Sequence, residues 1–441
     1  MSRLFVFIKK LCLSLLLVAS PALYASPWVE ADDAYLRADL QLLSDAGLIS
    51  TPLQTFPLPW HAVARDLKKA SLDNLPNNVL NAYRHVQYAL ETAQLERGNK
   101  QVKLTAANSE SPSSYGQYNG QEWQVEGAYS TTHKRTAARL NINYGQPHGE
   151  DADINFDGSF AAYTTGNVDI TVGSLHKWWG ASWQSNLAQP FASRPAPLAY
   201  IAYAGNDLSE LDAVYLEGGV SYVNDLSPYQ QKWAGRINVT VAKPLSLGAS
   251  YIRYQGKTDK NSQQWLWYDV LGLTAENNNQ FIVEGRVSLP TFNGWNGGVY
   301  SQQLISDGVG QQGANISGID FQNQVMDAQL RLVLENRYNP LADNTLLNNH
   351  LSGLNEIESG QLYQLHSLSN QLSVGGYVQL SNNQQFNLFY HLESYDKQHN
   401  RLSGEYQLPL LSGLFSIQLS MSDADWQKDN LQLATSWDYR F

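Results

Sequence analysis

Cysteine is nearly missing. The single one, Cys12, falls in a stretch expected to be removed on export, and a chain without thiols has neither a disulfide framework nor a thiolate metal site. The nine histidines are scattered, with no His-x-x-x-His pair to hold a metal. No cofactor is implied. Positive charge is also scarce: Lys and Arg number 29 against 40 Asp and Glu, a net charge of −11. That leaves no basic footprint for nucleic acid. No Gly-x-Ser-x-Gly elbow occurs, and dispersed Ser, His and Asp define no triad, so the chain reads as non-enzymatic. Asp423, Asp425 and Asp429 lack the ligand set and glycine of an EF-hand loop and read as a solvated acidic loop; no metal site is assigned. Long apolar runs are missing too. The one candidate, Leu11 to Ala19, is too short to span a bilayer.

What is present starts with a targeting pattern. Arg3, Lys9 and Lys10 precede the apolar run, and small residues follow it, with cleavage expected between Ala25 and Ser26. Residues 1–25 are therefore expected to be a signal peptide; the rival, an N-terminal anchor, is opposed by Pro21. The chain has 25 Tyr, 12 Trp and 32 Gly but only 16% charged residues. That mix suits half-buried strands with aromatic rings near an interface.

The last residues alternate with period two. Leu431, Leu433, Thr435, Trp437, Tyr439 and Phe441 share one strand face, and Gln432, Ser436, Asp438 and Arg440 the other. The pattern fits the closing strand of a membrane barrel or the edge strand of a soluble sheet; the export pattern favours the barrel. Similar alternation marks Trp123–Tyr129, Ala138–Tyr144, Asn167–Val172, Arg236–Val241, Val283–Leu289, Met326–Leu334, Phe386–Leu392 and Phe415–Met421. About eighteen such segments fit residues 100–441, and backbone groups in hydrocarbon require the sheet to close. The expected fold is mainly β, a transmembrane antiparallel β-barrel. Lys243-Pro244 reads as a tight periplasmic turn, and parity then puts Ser174–Pro197 and Tyr338–Ser369 outside.

Residues 26–99 have helical spacing instead. Asp33 caps a helix carrying Leu36, Leu40 and Leu43 that stops at Gly47. A second helix is expected over Trp60–Lys69, and a third from Pro76 with Val79, Tyr83, Val86 and Leu90 on one stripe. One apolar face each predicts a periplasmic helical domain, packed on itself or on the barrel mouth.

Two stretches resemble the Wzi family of outer-membrane capsule-assembly proteins. One is Ser26-Pro-Trp-Val-Glu-Ala-Asp-Asp, running on to Pro57-Leu-Pro-Trp60. The other is Lys177-Trp-Trp-Gly-Ala-Ser-Trp-Gln-Ser with Arg194-Pro195, where Ala192-Ser193 departs from the family's pattern. The resemblance implies an eighteen-stranded barrel with a periplasmic helical bundle, in the outer membrane. It also implies a lectin-like role: binding, anchoring or organising capsular polysaccharide or exopolysaccharide, without catalysis or cofactor. Implied partners are that polysaccharide and outer-membrane lipid. Two more are the barrel-assembly machinery, with Trp437, Tyr439 and Phe441 as the insertion signal, and a polysaccharide export complex on the periplasmic side.

Lys177, Trp178, Trp179, Gly180, Trp183 and Arg194 form the family's recognisable loop and the candidate polysaccharide site. Indole faces stack on the C–H face of a sugar ring, Gly180 permits close approach, and Lys177 and Arg194 suit carboxylates of an acidic polymer. The competing reading is that these rings belong to the interfacial girdle or pack the loop into a plug. For the whole protein the rival function is an outer-membrane channel for solute or polysaccharide, because a barrel of this size has room for an aqueous lumen.

Overall fold

The computed structural model describes residues 27–94, 99–109, 114–117, 120–133, 135–147, 151–188, 195–206, 211–222, 229–256, 278–306, 312–338, 370–394, 398–423 and 431–441. The expected signal peptide lies outside the described residues, as do Arg194, Asp425 and Asp429.

Barrel strands run from Asn99 to Arg440, each antiparallel to its neighbours in the sheet. The last, Leu431–Arg440, bonds both to Gly413–Ser422 and to the first, Asn99–Ala107, which closes the sheet. The ring has eighteen places, because Asp153–Asn155 and Phe160–Thr165 share one beside Thr136–Pro147. Alternation then sorts the side chains. Leu332 and Leu334 point outward, each 44% exposed, whereas Arg331 and Glu335 point inward at 1%. An apolar outer face over a polar inner one is what lipid requires. The strand expected from Met326 begins instead at Ala328. Met326 sits in the preceding turn with φ 55°, because Val325 already pairs with Ala328 across it.

Short turns, including 243–244, 293–294 and 411–412, gather at one end of the barrel, while the strands flanking 175–196 and 339–369 meet at the other. That agrees with the parity expected from the sequence. On the outward face of the closing strand, Trp437, Tyr439 and Phe441 stack in series, with centroids 5.5 and 5.2 Å apart.

Three helices precede the barrel: α1 (Ala34–Asp45), α2 (Trp60–Lys69) and α3 (Asn77–Gln94). Asp33 caps α1 as expected, its Oδ1 accepting from the Tyr35 and Leu36 N–H groups at 2.9 Å. Gly47 follows the end of α1 with φ 76°, a conformation costly for residues bearing a Cβ. Val79, Val86 and Leu90 form the buried stripe of α3.

The helices do not form a core of their own beside the mouth. The apolar residues of α1 and α3 share one cluster with Tyr300, Val333 and Tyr377 of the barrel wall. Helix α1 lies in the lumen: the Ala38 carbonyl accepts from Arg331 at 3.0 Å, and Asp45 pairs with Arg286 at 3.0 Å. Helices α2 and α3 cap the short-turn end. There Arg65 donates to the Ala204 carbonyl at 3.1 Å, and Asn81 to Gln324 at 3.3 Å. The physical reason is width. A large barrel leaves a lumen that its own inward side chains do not fill, and a helix with an apolar face is good filling.

His85 of α3 meets buried Asp39 of α1 at 2.5 Å. Burial alone would lower the imidazole pKa, but the hydrogen bond and charge of Asp39 outweigh it, and the net direction is upward. The α1–α3 contact therefore gains stability that is complete below about pH 6.5 and lost as pH rises through the raised folded-state value. Between about pH 6 and about pH 9 the thermal midpoint should fall more steeply in wild type than in His85→Gln. Parallel profiles would exclude the effect.

Candidate functional site

The segment carrying the candidate loop leaves the strand Val168–Ser174 at the long-connection end and turns inward. Trp178–Trp179 then pairs antiparallel with Thr55–Phe56 of the N-terminal region, Trp178 opposite Phe56 and Trp179 opposite Thr55. The Gly180 N–H donates to the Gln54 carbonyl at 2.8 Å, extending the match by one residue. Two segments far apart in the chain thus share a small sheet inside the barrel.

The rings are buried rather than presented. Trp178, Trp179 and Trp183 are each 1% exposed, so none offers a free face to a sugar in this arrangement. Trp178 packs edge-on against Tyr115 at 5.3 Å, and Tyr115 does the same to Phe56 at 5.3 Å. Trp183 lies 5.6 Å from Tyr377 and donates its indole N–H to Asp320 at 3.3 Å. Lys177 is also internal: it pairs with Glu217 and lies 3.5 Å from the Tyr200 centroid. Gly180 has φ 156°, and a Cβ there would meet Gln302 and Ser182 at 3.2 Å. Its carbonyl accepts from Arg37 at 3.3 Å and from Trp178 Nε1 at 3.2 Å. The loop has taken the plug alternative. Indoles bury more favourably against other rings than in water, by about 25 cal/mol for each Å² removed.

At the centre stands Arg37 of α1. Its guanidinium lies 4.2 Å from the Trp183 ring, 4.3 Å from Tyr115, 5.6 Å from Trp178 and 5.7 Å from Phe56. It also donates to the Ala181 carbonyl at 3.1 Å. A planar cation ringed by aromatic faces is a strong, geometrically specific clamp in a site closed to solvent.

The wall supplies the remaining holds. Glu335 accepts from the Trp183 N–H at 2.7 Å, the Ser185 N–H at 2.9 Å and the Ser185 hydroxyl at 2.8 Å, with the Gln184 N–H at 3.2 Å. Tyr300 donates to the same carboxylate at 2.8 Å. Asp320 takes Arg286 and Arg331, each at 2.5 Å. Arg236 holds the N-terminal strand, donating to Thr55 Oγ1 at 2.7 Å and the Gln54 carbonyl at 2.8 Å while pairing with Glu284. Gln302 donates to the Trp179 carbonyl at 3.0 Å.

Sequence reasoning does not single out Arg37, Tyr115, Arg236, Asp320 or Glu335. The one available signal is charge at inward parity on a strand, visible at Arg331 and repeated at Glu335. Of the acidic loop, Asp423 is described and accepts from the Asn400 N–H at 2.6 Å. Among the described residues no three His, Cys, Asp or Glu side chains gather as a metal site.

Glu335→Ala would leave the three loop N–H groups without their acceptor, at about 1–3 kcal/mol for each buried orphan. The variant should show frequent openings in planar bilayers where the plugged wild type should be quiet. Traces indistinguishable from wild type would mean that Glu335 does not hold the loop.

The sequence profile of the family Capsule assembly protein Wzi matches residues 93–364. An uncharacterized 55.8 kDa protein in the cps region of Klebsiella pneumoniae is 25% identical over 304 residues, 63% of this chain. The match spans 58% of that protein's own length. Among solved structures, Wzi of Escherichia coli, an outer membrane protein involved in group 1 capsule assembly and a carbohydrate-binding β-barrel, superposes with a TM-score of 0.75. It is 17% identical, and the superposition covers 96% of this chain and 100% of that one.

Proposed function

This chain belongs to the Wzi capsule-assembly family, and on that premise we propose that it is a non-enzymatic outer-membrane protein that binds and organises capsular polysaccharide or exopolysaccharide at the cell surface. The observation that carries the proposal, beside family membership, is the plug. A diffusion channel needs a free lumen, whereas α1, residues 54–56 and residues 177–188 lie inside this one, tied to the wall by Arg331 at Ala38, Arg236 at Gln54, and Asp320 and Glu335 at Trp183. A filled barrel is a rigid base for a binding surface.

The Lys177, Trp178, Trp179, Gly180 and Trp183 segment then acts as a positioning element. Its buried rings hold residues 177–188 against the wall, and polymer contact falls to groups at the long-connection end. Arg194, the remaining residue of the motif, lies outside the described residues and is proposed as a polymer contact from the motif alone. On the opposite side the exposed face of α3, with Tyr88 70% exposed, is the surface we assign to a periplasmic export complex. The stacked Trp437, Tyr439 and Phe441 are assigned to recognition by the barrel-assembly machinery.

A deletion strain should shed polysaccharide into the medium at unchanged total yield, and the wild-type gene should return it to the cell. Trp179→Ala, at about 3–5 kcal/mol for truncating a buried indole, should restore retention only in part, with folded barrel still present on unheated gels. Equal bound and shed fractions in the deletion and parent strains would overturn the proposal.

A further inference from the structure

The plug is not packed equally tightly against every part of the wall. On one wall nearly every inward side chain is buried beneath it: Glu284 at 6%, Tyr300 at 2%, Asp320 at 0%, Glu335 at 1%. A patch on Leu431–Arg440, Asn99–Ala107 and Gln121–His133 differs, although Ser416, Gln432, Ala434, Ala128 and Ser130 around it are buried. There the inward residues Ser436, Thr105 and Gln124, and below them Asp438, Lys103 and Glu126, are only half-buried. They face the inside of a closed sheet, so the solvent touching them is inside the barrel. Across from them Asp32 of the N-terminal segment is exposed, and at the short-turn end so is Arg440. The lumen therefore keeps a half-buried slot beside a buried plug, reaching the short-turn end along Leu431–Arg440 at exposed Arg440.

The chemistry of the slot is regular. Strand register places Ser436 opposite Thr105 and Thr105 opposite Gln124, a rung of hydroxyls and an amide. The next inward rung is Asp438, Lys103 and Glu126, again directly opposite one another. Neighbouring side chains in a rung are about 5 Å apart, and the two rungs about 7 Å. In the lower rung a donor stands between two acceptors, and each group of the upper rung can both donate and accept. On this wall Lys103 and Arg440 offset Asp438 and Glu126, and Asp32 across from it adds one carboxylate, so the slot has no strong charge of either sign. Amide groups are partly committed: Gln101 donates to Asp438 at 2.9 Å and Gln124 to Asn143 at 2.8 Å. A ligand that both donates and accepts at every few ångströms, without a formal charge of its own, matches such a surface, and a hydroxyl can do both.

We propose that this slot is a lumenal saccharide subsite, entered from the short-turn end and recognising a neutral, polyhydroxylated sugar segment. It rests on the polysaccharide reading above and adds a second place of contact, on the far side of the plug from the cell surface. The test uses purified full-length protein in detergent and maltotriose as the probe, with saturation-transfer NMR as the readout. Wild type should transfer saturation to the trisaccharide. Thr105→Trp, which fills the upper rung, should bring the signal to background. Gln124→Leu removes one amide and should weaken it about fivefold, the scale of one net hydrogen bond. Heat-modifiable migration on gels confirms that each barrel is folded, and the Leu variant carries the test if the Trp variant is not. Equal signals in wild type and the folded variants would put the sugar elsewhere and overturn the subsite, as would no signal in wild type. Cell-surface retention in the deletion assay is independent of this outcome, so failure of the slot and failure of the polysaccharide reading are separable.

Discussion

Backbone N–H and C=O groups at hydrocarbon depth have no water to bond, so the first and last strands must meet, as Asn99–Ala107 and Leu431–Arg440 do. The rest of the structure depends on that closure. With eighteen strands it sets a diameter larger than inward side chains can span. The outer face is then obliged to be apolar and the inner face polar, and the inner face must find partners. The N-terminal region and the Trp178–Trp179 segment are what it found.

The way they are held is polar at the wall and aromatic at the centre. Arg286, Arg331 and Asp320 form a chain of ion pairs reaching Asp45 at the end of α1. Buried ion pairs add little net stability against well-packed apolar residues, because desolvation offsets much of the attraction. Their value is in geometry, since each carboxylate accepts only a partner placed to bond it. Glu335 illustrates this, as it reads three successive backbone N–H groups and so admits one path for residues 183–185. Within that frame Arg37 and its four rings supply dispersion and cation–π attraction away from solvent.

The same arrangement separates two environments in one lumen. The wall under the plug is closed to solvent, and a patch of six inward side chains, from Ser436 and Asp438 across to Gln124 and Glu126, remains half-buried. A plug docked by specific bonds to one side has no reason to fill the other. This asymmetry leaves a tightly packed side under the plug and a half-buried patch beside it.

Local features are legible in the sequence because local physics decides them. The Asp33 cap, the Trp60–Lys69 helix and the outward stacking of Trp437, Tyr439 and Phe441 each depend on residues within a turn or a strand. Alternation with period two likewise announces the barrel, since every strand must carry one face to lipid. Periodicity misplaces the strand start at Met326 by two residues, because turn and strand share their hydrophobic pattern there and only pairing with the preceding strand sets the boundary. The Lys177–Trp183 motif is recognisable as a unit, but its destination is not. Whether three indoles face water or the inside of a barrel depends on Thr55–Phe56, Tyr115 and Glu335, which approach only once the sheet has closed. By itself the sequence determined membrane architecture and chain order, as these are written in short-range periodicity. Tertiary structure alone decided that the tryptophans are buried and that a patch of the lumen wall stays half-buried, because both depend on contacts between residues far apart in the chain.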